Sequence, residues 1–322
     1  MKALVMAPSF FGYDKAIVKG LEDRGYSVDF LDSEQLKPEY WSLWNKSFLS
    51  KAARHIIPGR RDRDRKNADK LFSQTYLQRY LDQIDSSQDA YSLVLTVKGD
   101  FIQDDLYSIL KRNNPQARFI LYLWDDVRLL HRKDYFSFFD DVYSYNCLDC
   151  RKYGWRFLPV FVQDYDASGT HEKKYDIAII GTGHRERVRF AKRVYEKYKD
   201  KYSFFIYLFR KDKVKSNFFT EDSPMSYKDY MDILRQSKCV LEYPLKNQRG
   251  PTTRIYDSMR CGTKVITTNR YIRSYPVNQS NILVINRCNP VIPKSFVDRS
   301  ASEDTALVMN NTKWLEKIMR HE

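Results

Sequence analysis

The feature that most constrains this chain is a strand, loop, helix, glycine and strand alternation that opens the sequence and begins afresh near residue 175. Residues 1–7 (MKALVMA) are predicted as a buried strand and 13–24 as a helix with Ile17 and Leu21 on one face; Gly25 closes it before a strand at 26–31. The pattern continues with strand 91–97, helix 102–111, strands 118–124 and 141–145, and a short helix at 148–153. It restarts with strand 176–180, the turn Gly181-Thr182-Gly183, and helix 186–199, whose apolar face is Val188, Ala191, Val194, Tyr195 and Tyr198. Strands at 204–209, 239–242, 264–267 and 281–285 then alternate with helices at 226–236 and 252–261. Apolar strands alternating with amphipathic helices read as parallel, doubly wound α/β sheets. Two such domains are expected, at 1–160 and 175–300, joined by a polar linker at 163–174; a tail at 301–322, helical over 303–319, is expected to pack back on the first domain.

One segment breaks the alternation. Residues 34–85 carry Trp41, Trp44, Phe48 and the basic run Arg60 to Lys66, and read as a helical insertion of aromatic-basic character. With 55 basic and 41 acidic residues the chain has net charge +14, which calls for an anionic partner. The insertion suits an anionic membrane surface or a lipid-linked acceptor better than nucleic acid, since its arginines are interrupted by Asp62 and Asp64 and no nucleic-acid reading module accompanies them. No run approaches the length of a bilayer span, and residues 1–7 are too short for a secretory signal, so a cytoplasmic protein is expected, peripheral at the inner face of the plasma membrane. The five cysteines do not suggest a disulfide framework, and Cys147–Cys150 lacks the partner pair of a zinc site. No HExxH, GxSxG or Walker A sequence occurs, which argues against zinc hydrolase, serine hydrolase and P-loop kinase chemistry. No metal or cofactor is expected.

Residues 243–269 carry the densest chemistry. A polar loop runs from a strand into a helix N-terminus, whose free amides suit an anion. Arg249 and Arg254 can supply charge-assisted forks to a diphosphate, Gly250 close approach, and Thr252 and Thr253 hydroxyl donors. Asp257, one turn on, can accept from ribose hydroxyls. A second anion candidate is Gly181-Thr182-Gly183, with Arg185 or Arg187 in reach of a phosphate. In the first domain the loop around Gly12 and Asp14, and the pair Asp125-Asp126, fall at carboxyl ends of strands, where open α/β sheets place ligands. A carboxylate so placed can orient a hydroxyl or act on it as a base; Asp125 or Asp126, and then Asp14, are the candidates.

These residues resemble the donor-binding signature of GT-B glycosyltransferases, in which an acidic residue precedes a small-residue turn and a hydrophobic-Thr-Thr-Asn strand. They are closer still to a bacterial group associated with lipopolysaccharide and capsular polysaccharide synthesis, through Gln248, Gly250, Thr252 and Arg254. The same group shows the counterparts of Lys98-Gly99, Tyr122-Leu-Trp-Asp125, Phe139 to Ser144 and Leu158-Pro159, so the resemblance spans both domains. Where many retaining GT-B enzymes place two glutamates, this chain has Arg249 and Asp257, which leaves the stereochemistry open.

The resemblance implies a GT-B fold, two Rossmann-like domains facing a central cleft, and metal-independent transfer of a sugar from a nucleotide-diphosphate donor. The acceptor would be a cell-surface glycan or lipid-linked hydroxyl. The competing reading is a non-catalytic protein of the same fold that docks on an anionic membrane or nucleic acid through the basic insertion.

Overall fold

The computed structural model describes residues 1–33, 90–165, 172–210, 218, 220–302 and 308–320. The basic insertion, with its Trp41, Trp44 and arginine run, therefore lies outside the described residues, as does part of the expected linker. The chain forms two compact units, Met1–Leu123 with Leu130–Tyr143, and Trp124–Leu129 with Ser144–Glu322.

The first unit is built on β1 (Lys2–Ala7), β2 (Ser27–Asp32), β3 (Leu93–Val97) and β4 (Arg118–Leu123). Strands β5 (Asp141–Ser144) and β6 (Arg156–Phe157) complete a sheet of order β2-β1-β3-β4-β5-β6. β1 pairs in parallel with both β2 and β3, and β3 with β4. Every residue of β3 is buried, as are Ala3 to Ala7 of β1, which is what a parallel sheet covered on both faces requires. Helix α1 (Tyr13–Glu22) turns Tyr13, Ile17 and Leu21 inward, and α2 (Asp104–Asn113) does so with Leu106, Tyr107 and Leu110.

The second unit holds a sheet of order β12-β11-β10-β7-β8-β9. Its strands are β7 (Tyr175–Thr182), β8 (Phe204–Phe209), β9 (Thr220–Glu221), β10 (Ser237–Glu242), β11 (Lys264–Thr267) and β12 (Ile282–Val284). All of these pairings are parallel. Its helices are α3 (Cys147–Tyr153), α4 (Arg185–Tyr198), α5 (Tyr227–Arg235), α6 (Thr253–Arg260), α7 (Lys294–Asp298) and α8 (Asn311–Met319). The inward face of α4 is Val188, Phe190, Ala191, Val194 and Tyr198, the predicted stripe with Phe190 in place of Tyr195. Ser226 caps α5 by accepting from the Asp229 amide. The last helix begins at Asn311, capped by Asn310 at the Lys313 amide; residues 303–307 of its expected span lie outside the described residues. Within this unit Trp314 of α8 packs on Phe161, with ring centroids 5.1 Å apart.

The strand order fixes where chemistry can sit. In the second sheet the chain leaves β7 toward β8 on one side and returns to β10 on the other, so the direction reverses between β7 and β10. The crevice outside the carboxyl ends of strands at such a reversal is where open α/β sheets bind ligands. The first sheet reverses in the same way between β1 and β3, and the loops there contain Gly12 and Lys98.

Candidate functional site

At the reversal in the second sheet, β7 ends in Gly181-Thr182. Gly181 has φ +152°, a region that side chains disfavour. A methyl group there would lie 3.1 Å from Arg254 Nη2 and 3.2 Å from Arg187 Nη1. Two guanidinium groups thus face one bare stretch of backbone, beside the N-terminus of α6. Arg187 is anchored from beneath: Nη1 donates to Thr182 O at 2.6 Å and Nη2 to Tyr243 O at 3.1 Å. Burial, and then the charge of Arg254, push the Arg187 guanidinium down to about 10. Arg254 Nε is buried with no hydrogen-bond partner. Like charges held together, with a donor left unspent, suit an anion.

The frame around them contains a residue the sequence analysis did not select. Glu242, fully buried at the end of β10, accepts from Thr252 Oγ1 at 2.6 Å and from the Thr267 hydroxyl. It therefore seats Thr252, the residue before α6, and the helix with it. A carboxylate ending the apolar run Cys239–Leu241 was the available signal. Thr253 opens α6, half-buried. Arg185 opens α4 and is exposed; of the two arginines considered on that helix, Arg187 is the one brought to Gly181. Gly183 is buried against β8 and donates its amide to Phe209 O.

Three of the expected residues are engaged by partners within the protein. Asp257 was expected at a ribose, but it is buried, and its oxygens accept from Tyr227 Oη at 2.9 Å and Tyr230 Oη at 3.2 Å. It lies on the buried face of α6, and burial raises it to about 7. Asp126 was a candidate base, but it is wholly enclosed and accepts from the Arg249 and Gly250 amides and from Asn146 Nδ2. Burial raises it, against the pull of the Arg249 amide. With no oxygen facing outward it cannot take a proton from an acceptor. Arg249, expected on the diphosphate, pairs through Nη2 with buried Asp149 at 2.8 Å, and its Nε is buried with no hydrogen-bond partner. Gly250 serves close approach of a different kind: a methyl group there would overlap the Tyr145 ring.

Asp125, beside Asp126, is half-buried. In the first unit Asp14 is buried in the first turn of α1, and Gly12, with φ +83°, precedes that helix. Lys98 has φ +69° and lies 3.9 Å from buried Asp100. Each of Cys147 and Cys150 donates to a backbone carbonyl, of Ser274 and Ser144 respectively, and burial pushes the Cys150 thiol up to about 12. Among the described residues no helix is long and apolar enough to cross a membrane.

Two parallel Rossmann-like sheets give this chain the fold of the GT-B glycosyltransferases. It is similar over its whole length to the apo structure of OtsA, with TM-score 0.58 at 10% identity and 100% of both chains covered. MurG from Acinetobacter baumannii matches with TM-score 0.54 at 9% identity over 99% of both chains. The glycosyltransferase SnogD from Streptomyces nogalater matches with TM-score 0.54 at 11% identity over 98% of both. No protein-family profile matches the chain, and no curated protein is significantly similar in sequence.

Proposed function

We propose that the protein is a glycosyltransferase that takes a sugar from a nucleotide-diphosphate donor, with the diphosphate held at Gly181, Arg187, Arg254 and the N-terminus of α6. The observation that carries this reading is the convergence of two guanidinium groups on Gly181, with Arg254 Nε buried and unspent. The likeness in fold to a glycosyltransferase over 98% of both chains supports it. As the glycosidic bond breaks, negative charge develops on the leaving diphosphate, and fixed guanidinium and amide donors stabilise that charge without reorganising. Thr253 adds a hydroxyl at the first turn. Asp125 and Asp14 stand as the candidates for orienting the acceptor hydroxyl, with Gly12 and Lys98 in the loops of the first unit. The acceptor is read as a hydroxyl of a cell-surface glycan or lipid-linked saccharide, made at the inner face of the membrane; this rests on the sequence resemblance alone.

The test is a thermal-shift and hydrolysis panel of UDP-, GDP-, CDP- and TDP-sugars. Selective stabilisation by one nucleotide series, with slow release of its free sugar, is the expected result. No stabilisation by any of them, together with salt-sensitive binding to anionic vesicles or RNA, would replace this reading with a non-catalytic one.

A further inference from the structure

We infer that Arg249, with the buried carboxylates Asp126 and Asp149, positions the turn ahead of α6 and does not itself hold the donor. The inference rests on the diphosphate reading of the α6 site and assigns these three residues a different task within it.

The turn is held at all four of its backbone groups. The amides of Arg249 and Gly250 donate to Asp126. The carbonyls of Arg249 and Gly250 accept from Asn269 Nδ2 at 2.9 and 3.4 Å. Asp126 is in turn fixed by Asn146 Nδ2, which also donates to Asp149 at 3.0 Å. Asp149 accepts from the Val127 amide at 2.9 Å and from the Arg249 guanidinium at 2.8 Å. Asn146 itself, before α3, accepts from Tyr275 Oη at 2.5 Å. Pro251 then carries the chain directly to Thr252 and α6.

Charge decides what Arg249 can do. Beside it stand two buried carboxylates, so a diphosphate brought to this guanidinium would meet net negative charge at low dielectric. At Gly181 the balance is reversed, since two arginines face the same spot. Breaking the Asp149 pair would release the turn and let the start of α6, with Arg254, drift from Gly181. Displacing a binding group by about 1 Å costs affinity although no ligand contact has been removed.

The experiment titrates inorganic pyrophosphate into the full chain by calorimetry, for wild type, Asp149→Asn and Asp126→Asn. The two readings of Arg249 give opposite signs for Asp149→Asn. Freed from its partner, a phosphate-binding arginine would hold pyrophosphate as well or better. A positioning arginine should lose affinity, by about tenfold or more. Amide hydrogen exchange over residues 245–252, without ligand, is the second readout. It should quicken in both variants while exchange in β7 and β10 stays as in wild type. Unchanged or tighter pyrophosphate binding by Asp149→Asn, or unchanged exchange in that segment, overturns the inference. If wild type itself takes up no pyrophosphate, the diphosphate reading fails and the positioning role falls with it.

Discussion

Asp257→Asn turns the burial beneath α6 into a measurable pH dependence. The carboxyl is raised from 3.8 to about 7, by burial first, against the hydrogen bonds of Tyr227 and Tyr230 and the charge of Arg254. Between those two values the folded chain keeps a proton that the unfolded chain has released. Stability contributed at this residue therefore falls as pH rises from about 4 to about 7, and levels off above. Each tenfold in proton affinity is worth about 1.4 kcal/mol, so the loss is on the order of 2–4 kcal/mol once relaxation is allowed for. Asparagine keeps the shape, can accept from one tyrosine and donate to the other, and has no proton to release. Urea denaturation followed by tryptophan fluorescence at pH 5 and pH 8 reads the effect as a difference between the two proteins, since the other carboxyls act alike in both. The variant should gain on wild type by about 2 kcal/mol or more between the two conditions. An equal difference at pH 5 and pH 8 would refute the reasoning.

Three further outcomes follow from the same geometry. Gly250→Ala should destabilise by about 1–3 kcal/mol, measured by denaturant unfolding, because its methyl group overlaps the Tyr145 ring. Glu242→Ala should cost on the order of 2–4 kcal/mol by the same assay, since it strands the hydroxyls of Thr252 and Thr267 together. Arg187→Met should weaken pyrophosphate binding by about tenfold or more in calorimetry, whereas Arg185→Met, at an exposed position, should change it little.

The fold was readable because its signals are local. Apolar strands and one-faced helices set the central elements of both sheets within two or three residues, and β8 and β11 fall on their predicted bounds at Phe204–Phe209 and Lys264–Thr267. The short strands β6 and β9, two residues each, carry no period to read. At the site the residue types were legible and their partners were not. An arginine near a helix start is the same letter whether it faces a ligand or a buried carboxylate. Arg254 lies beside Gly181 with Arg187, while Arg249 meets Asp149, 100 residues earlier in the chain. Likewise the burial of Asp257 depends on Tyr227 and Tyr230 of a neighbouring helix, a contact that spacing within its own helix does not encode. Asn146 could have been noticed as a helix cap, but not as the link between two carboxylates.

Calorimetric titration of pyrophosphate into wild type and Arg254→Ala tests the central claim most directly. Wild type should bind, with affinity falling as salt is raised, and the variant should lose about 2–5 kcal/mol of binding free energy while keeping its fold by circular dichroism. Equal affinity of the two proteins, or no uptake by wild type at low salt, would contradict the account.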